Sequence, residues 1–416
     1  MQKQNRYHED MNKDILCKEC NMRLEHLESK GLITTNQRLV MRNPDRVVSG
    51  HLLITRDSGD LASLSAFRIQ DSLARGPGKG GIRFHPEVTA QEVSSLAFVM
   101  SLKTALLDIP YGGAKGGVQF NPRDYSEEEI EKVARAYVRR FSDVLGPHKD
   151  IPAPDVNTTP QIMNWMRDEY EHITGAPAPG FITGKSVEQG GSEGRVEATG
   201  MGAFMILQEK FKDTEKSEMS VAIQGFGNAG SVLASLLHKE GYTVVAVSDS
   251  KGGIFNKDGL DIERIVKYKE DGNRISDFED VEKITNEELL ELDVDILAPA
   301  ALGDVITEEN VKNIKAGSII EVANGPISPR ADEELYKKGV EVIPDLLANA
   351  GGVTVSYFEW YQNIHEEQWT EKDVFEKLEK KMSAAYKETK SLAQEKNISL
   401  RDAAYKIAID RITEKS

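Results

Sequence analysis

Three lysines stand in settings that ordinary surface lysines do not share. Lys79 lies in GPGKGG and Lys115 in YGGAKGG, each flanked by glycines that allow a ligand to come close to the backbone. Lys103 falls three residues after Met100 and four before Leu107, so it points along the stripe that a helix would turn inward. Taken alone, Lys103 reads as a snorkelling side chain at a core edge. Together the three cations can neutralise a dianion in a chain that is acidic overall. Asp155, between Pro154 and VNTT, is a carboxylate on a stiff turn, and its ordinary reading is a turn or cap residue. In a dry cleft, a lysine near other lysines has its pKa pushed down by desolvation and like charge. A cation at a reacting carbon with a proton carrier beside it is the equipment for acid–base chemistry, and lysines in such settings are residue types that suit it.

A second constellation is Gly225-Phe226-Gly227-Asn228-Ala229-Gly230. It follows the apolar run SVAI and precedes SVLASLLHKEG, and Asp249 closes a further apolar run, TVVAVSD. Strand, glycine turn, helix and a downstream carboxylate together form a dinucleotide-binding signature. The backbone can approach a pyrophosphate, the helix start favours its charge, and the carboxylate accepts from ribose hydroxyls. Asp249 would repel a 2′-phosphate and favours NAD, whereas Ser248, Ser250 and Lys251 offer donors that make NADP possible.

These residues need two kinds of scaffold. Thr89-Ala-Gln-Glu92 and Ser126-Glu-Glu-Glu129 read as capping boxes opening helices, the second with Ile130, Val133, Tyr137 and Phe141 inward. Residues 175 to 200 are rich in glycine and poor in apolar side chains, which suggests a hinge. Beyond them, Ser220 to Ile223, Thr243 to Ser248, Val294 to Ala298, Ser318 to Val322 and Val340 to Ile343 alternate with helical segments, the pattern of parallel strands with crossovers. The expected fold is α/β with two domains. Residues 1–190 form an α/β substrate-binding and oligomerisation domain, and a terminal helix of about residues 391–416, opened by Ser399, packs back on it. Residues 191–390 form a Rossmann-type, doubly wound dinucleotide-binding domain.

The 416 residues carry 52 Lys+Arg against 68 Asp+Glu, a net charge of −16, which argues against nucleic acid and acidic membrane surfaces as partners. MQKQNRYHED lacks the apolar core of a secretory signal and no run reaches a membrane span, so a cytoplasmic protein is expected. The two cysteines, Cys17 and Cys20, exclude a disulfide framework; a single C-x-x-C can be a redox motif or half a zinc site, but with no second pair and no βαβ pattern around it the two read as small helix side chains one turn apart. His8, His26, His51, His85, His148, His172, His238 and His365 show no ligand spacing, and no metal is expected.

The motifs GPGKGGIRFHP, PYGGAKGG, DIPAPDVNT, GGSEGRVEATG, QGFGNAG, ILAPAAL, EVANGP and LANAGGVTVSYFEW, in this order from about residue 45 to the C-terminus, resemble the glutamate dehydrogenase family of hexameric amino-acid dehydrogenases. The resemblance implies reversible oxidative deamination of L-glutamate to 2-oxoglutarate and ammonium with a nicotinamide dinucleotide, by a homohexamer whose Rossmann-type domain closes over the substrate cleft. Carried over by position, Lys115 resembles the catalytic lysine and Asp155 the acid/base. Lys103 resembles the partner of the α-carboxylate, and Lys79 and Ser356 the residues that bind the side-chain carboxylate. Thr199, Asn324 and Asn349 look like further contacts to cofactor or substrate. Relatives acting on leucine, valine or phenylalanine have apolar residues in the places of Lys79 and Ser356, which leaves a dehydrogenase for such an amino acid as the first alternative. A catalytically silent regulatory paralogue is the second. The chain departs from the family at FRIQDS, where Asp71 and Ser72 replace the usual His or Tyr and Asn; an extra carboxylate there bears on substrate binding or on an interface.

Overall fold

Strand alternation and helix capping build two separate α/β units in the computed structural model, which describes residues 15–416. The N-terminal segment and His8 lie outside the described residues.

The first unit comprises residues up to Glu193 together with Ser356–Val374 and Tyr405–Ser416. Its helices α1 (Lys18–Ser29) and α2 (Thr35–Arg42) precede a hairpin of β1 (Arg46–Thr55) and β2 (Leu61–Ser72). Then follow β3 (Gly78–Phe84), α3 (Ala90–Leu106), β4 (Gly113–Val118), α4 (Glu127–Phe141), β5 (Asp150–Pro154) and α5 (Pro160–Thr174). The sheet order is β1-β2-β4-β3-β5. β2 runs antiparallel to β1 and β4, while β3 runs parallel to both β4 and β5. One face buries Leu52, Ile54, Leu64, Ile82 and Phe84 against Val133, Tyr137 and Phe141 of α4 and Met163 and Met166 of α5. That apolar burial is what fixes the strands that bear Lys79 and Lys115.

The capping boxes resolve differently. Ser126 accepts from Glu129 N–H and Glu129 reaches back to Ser126 N–H, a complete reciprocal box. Thr89 accepts from Glu92 N–H at 3.2 Å, but the Glu92 carboxylate turns to Arg83 instead of back to the cap.

The second unit comprises Gly194–Val355 and Phe375–Ala404. It starts with α6 (Ala198–Lys210), β6 (Ser220–Gln224), α7 (Asn228–Lys239), β7 (Thr243–Asp249) and β8 (Gly252–Phe255). It continues with α8 (Ile262–Glu270), β9 (Glu282–Ile284), α9 (Asn286–Leu290), β10 (Ile296–Pro299), β11 (Ser318–Ile320), α10 (Pro329–Lys337), β12 (Glu341–Ile343) and α11 (Asp345–Ala348). Seven strands form a sheet of order β12-β11-β10-β6-β7-β8-β9. The five named from sequence, β6, β7, β10, β11 and β12, are parallel, and the antiparallel pair β8 and β9 extends the β7 edge. The order reverses between β6 and β10, so the glycine loop at the end of β6 sits at a topological switch point, where open α/β sheets bind ligands.

Three long helices complete the chain: α12 (Gly351–His365), α13 (Glu371–Lys396) and α14 (Leu400–Thr413). The chain therefore returns to the first unit twice. Ser356–Val374 belongs there, Phe375–Ala404 belongs to the second, and only Tyr405–Ser416 of the C-terminal segment rejoins the first. A simple split into residues 1–190 and 191–390 with a helix of 391–416 misses the first return, because α12 to α14 carry no composition break where they change unit. No described helix is long and apolar enough to cross a membrane.

Candidate active site

Strand β3 places Lys79, Gly81 and Arg83 on one face through its period of two. Parallel pairing then sets Lys79 beside Ile151 and Gly81 beside Ala153 of β5, while Lys115 on β4 pairs with Ile69 of β2. Asp155 follows β5 directly. Lys115 Nζ donates to Asp155 Oδ1 at 2.9 Å, and Arg83 Nε donates to Asp155 Oδ2 at 2.7 Å. Arg83 also pairs with Glu92 at the start of α3. Burial by itself would raise the Asp155 pKa, but Lys115 and Arg83 outweigh it and hold the carboxyl down at about 2. The Asp155 N–H is tied to Thr158 Oγ1 at 2.7 Å, so the turn is fixed as well as the carboxylate. The charged partner of Lys115 is thus a carboxylate, whereas the sequence suggested crowding by other lysines.

Lys79 is 1% exposed. Its ammonium donates to Thr183 Oγ1 at 2.6 Å and to the Pro152 carbonyl at 3.2 Å. The segment after Thr183 is pinned to α12: Glu359 accepts from Gly184 N–H at 2.8 Å and from Lys185 Nζ at 2.7 Å, both side chains fully buried. Ser356 lies one turn before Glu359 on that helix and is buried. Lys103 is buried in the last turn of α3, with Ser101 and Thr104 beside it in sequence.

The glycines around the lysines serve protein packing. A Cβ on Gly80 would sit 1.6 Å from the Ala114 carbonyl oxygen, and one on Gly81 would sit 2.6 Å from the Pro154 carbonyl oxygen. On Gly116 it would meet the Tyr137 hydroxyl at 2.2 Å. These glycines let β3, β4 and β5 approach one another, and this close approach brings Arg83, Lys115 and Asp155 within hydrogen-bonding reach.

Asp71 and Ser72 lie at an irregularity in β2, where pairing with β4 shifts between Gln70 and Ser72. Asp71 is buried and accepts from Ser101 Oγ of α3 at 2.5 Å. Burial lifts its pKa to about 7, with Asp45 adding to the rise and the Ser101 bond opposing it. The retained part of the motif is structural: Arg68 and Gln70 both donate to the buried Asp150, and Arg68 Nη1 also donates to the Gly80 carbonyl at 3.1 Å.

In the second unit, the three loop glycines have three distinct reasons. Gly225 has φ +99° and faces Ala300 and Ala301; a Cβ on Gly230 would sit 1.9 Å from the Gly225 carbonyl oxygen; a Cβ on Gly227 would meet nothing within 4 Å. The first makes the turn, the last packs helix on strand, and the middle one leaves open space before α7. No side chain caps α7, so its first N–H groups remain for an anion. The Asn228 side chain donates to the Val196 carbonyl, next to α6, which carries Thr199. Asn349 Nδ2 donates to Asn324 Oδ1 at 3.0 Å, joining two of the expected contacts. Asp249 ends β7 and accepts from Lys269 Nζ at 2.7 Å, from Ile275 N–H and from Lys251 N–H. Burial raises the Asp249 pKa, and these donors outweigh it and bring the carboxyl below its usual value. Ser248 Oγ is taken by Asn286 Oδ1 at 2.7 Å. The residues present therefore fit a dinucleotide.

Arg83, Thr183, Glu359 and Lys269 escaped the sequence reading, and Glu92, read as a capping-box residue, was not expected to pair with Arg83. Arg83 had a usable signal, its two-residue spacing from Gly81 and Lys79 on one strand. No group of three or more His, Cys, Asp or Glu suited to a metal occurs among the described residues.

Comparison with known proteins finds relatives over most of the chain. Residues 44–172 match the model of the Glu/Leu/Phe/Val dehydrogenase dimerisation domain, and residues 190–416 match that of Glutamate/Leucine/Phenylalanine/Valine dehydrogenase. The chain is 46% identical over 376 residues to the glutamate dehydrogenase of Thermotoga maritima, covering 90% of each chain. It is also 46% identical to the NADP-specific glutamate dehydrogenase A1 of Halobacterium salinarum, over 90% of this chain and 91% of that one. Among solved structures, the hetero-hexameric glutamate dehydrogenase of Thermus thermophilus in its Leu-bound form superposes with a TM-score of 0.87 at 32% identity, covering 95% of this chain and 94% of the other.

Proposed function

Because the chain belongs to the Glu/Leu/Phe/Val dehydrogenase family, we propose that it catalyses the reversible NAD(P)-dependent oxidative deamination of L-glutamate to 2-oxoglutarate and ammonium. The observation that carries this reading is the Lys115–Asp155–Arg83 cluster beside the buried Lys79–Thr183 pair. Lys79 and Ser356 bind the side-chain carboxylate, and Lys103 binds the α-carboxylate. A buried ammonium is a poor lining for a leucine or phenylalanine side chain, so glutamate is favoured over the apolar amino acids of the family.

A bound nicotinamide would supply the acceptor for the hydride that leaves the α-carbon. Lys115 Nζ stabilises negative charge at the substrate oxygen and orients the attacking water. Asp155, held ionised by its two cations, takes a proton from the substrate amine at Oδ1 or Oδ2 and returns it to the leaving nitrogen. Gly225, Gly227, Asn228 and Gly230 hold the pyrophosphate at the start of α7, and Thr199, Asn324 and Asn349 line the rest of the nucleotide's path. Asp249 accepts from the ribose hydroxyls and favours NAD; Lys269, its ion-pair partner, and Lys251 beside it supply the positive charge that admits NADP. The NADP-specific relative supports the use of NADP rather than the preference for NAD. The proposed assembly is a homohexamer; the dimerisation-domain match supports association of copies, and the hetero-hexameric structural neighbour supports six subunits without supporting their identity.

The test is absorbance of NADH and NADPH formed by the purified chain with L-glutamate, leucine or valine, alongside Lys115→Ala. Turnover on glutamate that is lost in the variant is expected. Turnover on leucine or valine alone would transfer the reading to an apolar substrate, and retained dinucleotide binding without turnover would replace it with a silent paralogue.

A further inference from the structure

Neither cysteine is among the groups assigned to substrate or dinucleotide, and the structure places them differently from the sequence expectation. Cys17 stands outside α1 as its N-cap, with extended backbone, and Cys20 is in the first turn. The Cys17 Sγ accepts from the Cys20 N–H at 3.2 Å, and the two sulfurs are 2.7 Å apart. Both residues are partly exposed free thiols. The backbone that carries them is anchored: Cys17 N–H donates to Ser95 Oγ of α3 at 2.9 Å, Gln91 Nε2 donates to the Leu16 carbonyl, and Leu16 is buried. The hydrogen bond from Cys20 holds the Cys17 thiol down at about 6 against the opposing effect of burial, with Ser95 and the Cys20 N–H acting in the same direction. The same sulfur–sulfur bond, with burial, pushes Cys20 up. A thiol at a helix start with a second thiol in contact is the arrangement in which one sulfur attacks and the other resolves.

We propose that Cys17 and Cys20 are a redox-active dithiol that closes to an intramolecular disulfide by exchange with small-molecule disulfides, Cys17 attacking and Cys20 resolving. The Cys17 thiolate attacks one sulfur of R–S–S–R, forming a mixed disulfide and expelling RS⁻. Cys20 gives its proton to that RS⁻, and its sulfur then attacks Cys17 Sγ and expels the second RS⁻, which takes up the proton that Cys17 gave to solvent. Two protein thiols are oxidised, and one external disulfide is reduced to two thiols.

The chain holds no other cysteine, so every change in thiol count reports on this pair. The experiment incubates the full chain with graded ratios of glutathione disulfide to glutathione and reads thiols by maleimide labelling and intact mass, with folding of each variant checked by circular dichroism. In the wild type both thiols disappear together, with a mass loss of two hydrogens and no lasting adduct. Cys20→Ser accumulates a stable glutathione adduct, and Cys17→Ser reacts at least ~10-fold more slowly at neutral pH. A folded wild type that keeps both thiols while the urea-unfolded chain oxidises would overturn the proposal. Equal reaction rates for the two single variants, or a wild-type adduct that never resolves, would overturn it as well.

Discussion

Asp155 accepts hydrogen bonds from two cations of different kinds, and only one of them, Lys115, is assigned to the chemistry. Arg83 is a positioning residue: it fixes one carboxylate oxygen and shares its guanidinium with Glu92. Removing it as Arg83→Gln leaves burial opposed by Lys115 alone, so the acid limb of the pH–rate profile should move up toward the ordinary 3.8, while kcat falls roughly 10-fold. Arg83→Lys should restore most of the shift. An acid limb that stays in place would reduce Arg83 to packing. Asp71 behaves in the opposite sense. Its native pKa of about 7 lies above the ordinary 3.8, so the folded state holds the proton more tightly than the unfolded chain. Stability from this group is present below about pH 4 and is lost as pH rises toward 7. Asp71→Asn, which keeps the shape of the protonated form and can still bond Ser101, should be more stable than wild type by at least ~1 kcal/mol at pH 8 and no more stable at pH 4. Calorimetry at the two pH values checks this, and a gain equal at both would remove the titration argument.

At the scale of elements, the fully buried Lys185–Glu359 pair fastens the loop after α5 to α12, and with it Thr183 to the helix that carries Ser356. Burial favours the neutral form of Lys185, and Glu359 offsets that cost. Glu359→Gln should therefore destabilise the chain by about 3–5 kcal/mol, since it strands a buried ammonium. In the surviving folded enzyme it should raise KM for glutamate more than it lowers kcat, because the substrate groups shift and Lys115 does not. Denaturant titration and steady-state kinetics read the two effects, and an unchanged KM would separate the clasp from the substrate. The same elements show what a sequence can convey. The glycine loop, the Ser126 box and the five parallel strands were legible because each is written in neighbouring residues whose spacing has a mechanical cause. The antiparallel pair of β8 and β9 was not, since strands of three and four residues carry too little alternation. Thr183 is 104 positions from Lys79, and Glu359 is 174 from Lys185; such partners meet only after the strands have been ordered, so no local pattern announces them.

For the whole molecule, a net charge of −16 discourages indiscriminate association, so any stable assembly has to come from a specific apolar surface. The hairpin of β1 and β2 presents one. Its inner face carries Leu52, Ile54 and Leu64 into the core, while Val47 and Leu53 alternate to the opposite face and Leu61, paired with Thr55, joins them there. Leu53 and Leu61 are 67% and 74% exposed, and β1 is an edge strand with no partner on its outer side among the described residues. An exposed apolar edge is a template for pairing, and this one lies within residues 44–172, the span matched by a dimerisation domain. A second copy on this hairpin would bury both leucines. Leu53→Glu with Leu61→Glu should lower the mass measured by light scattering at micromolar concentration. The circular dichroism spectrum should remain that of the wild type, because neither leucine contributes to the core. A variant that keeps the wild-type mass would exclude this hairpin as a contact between copies.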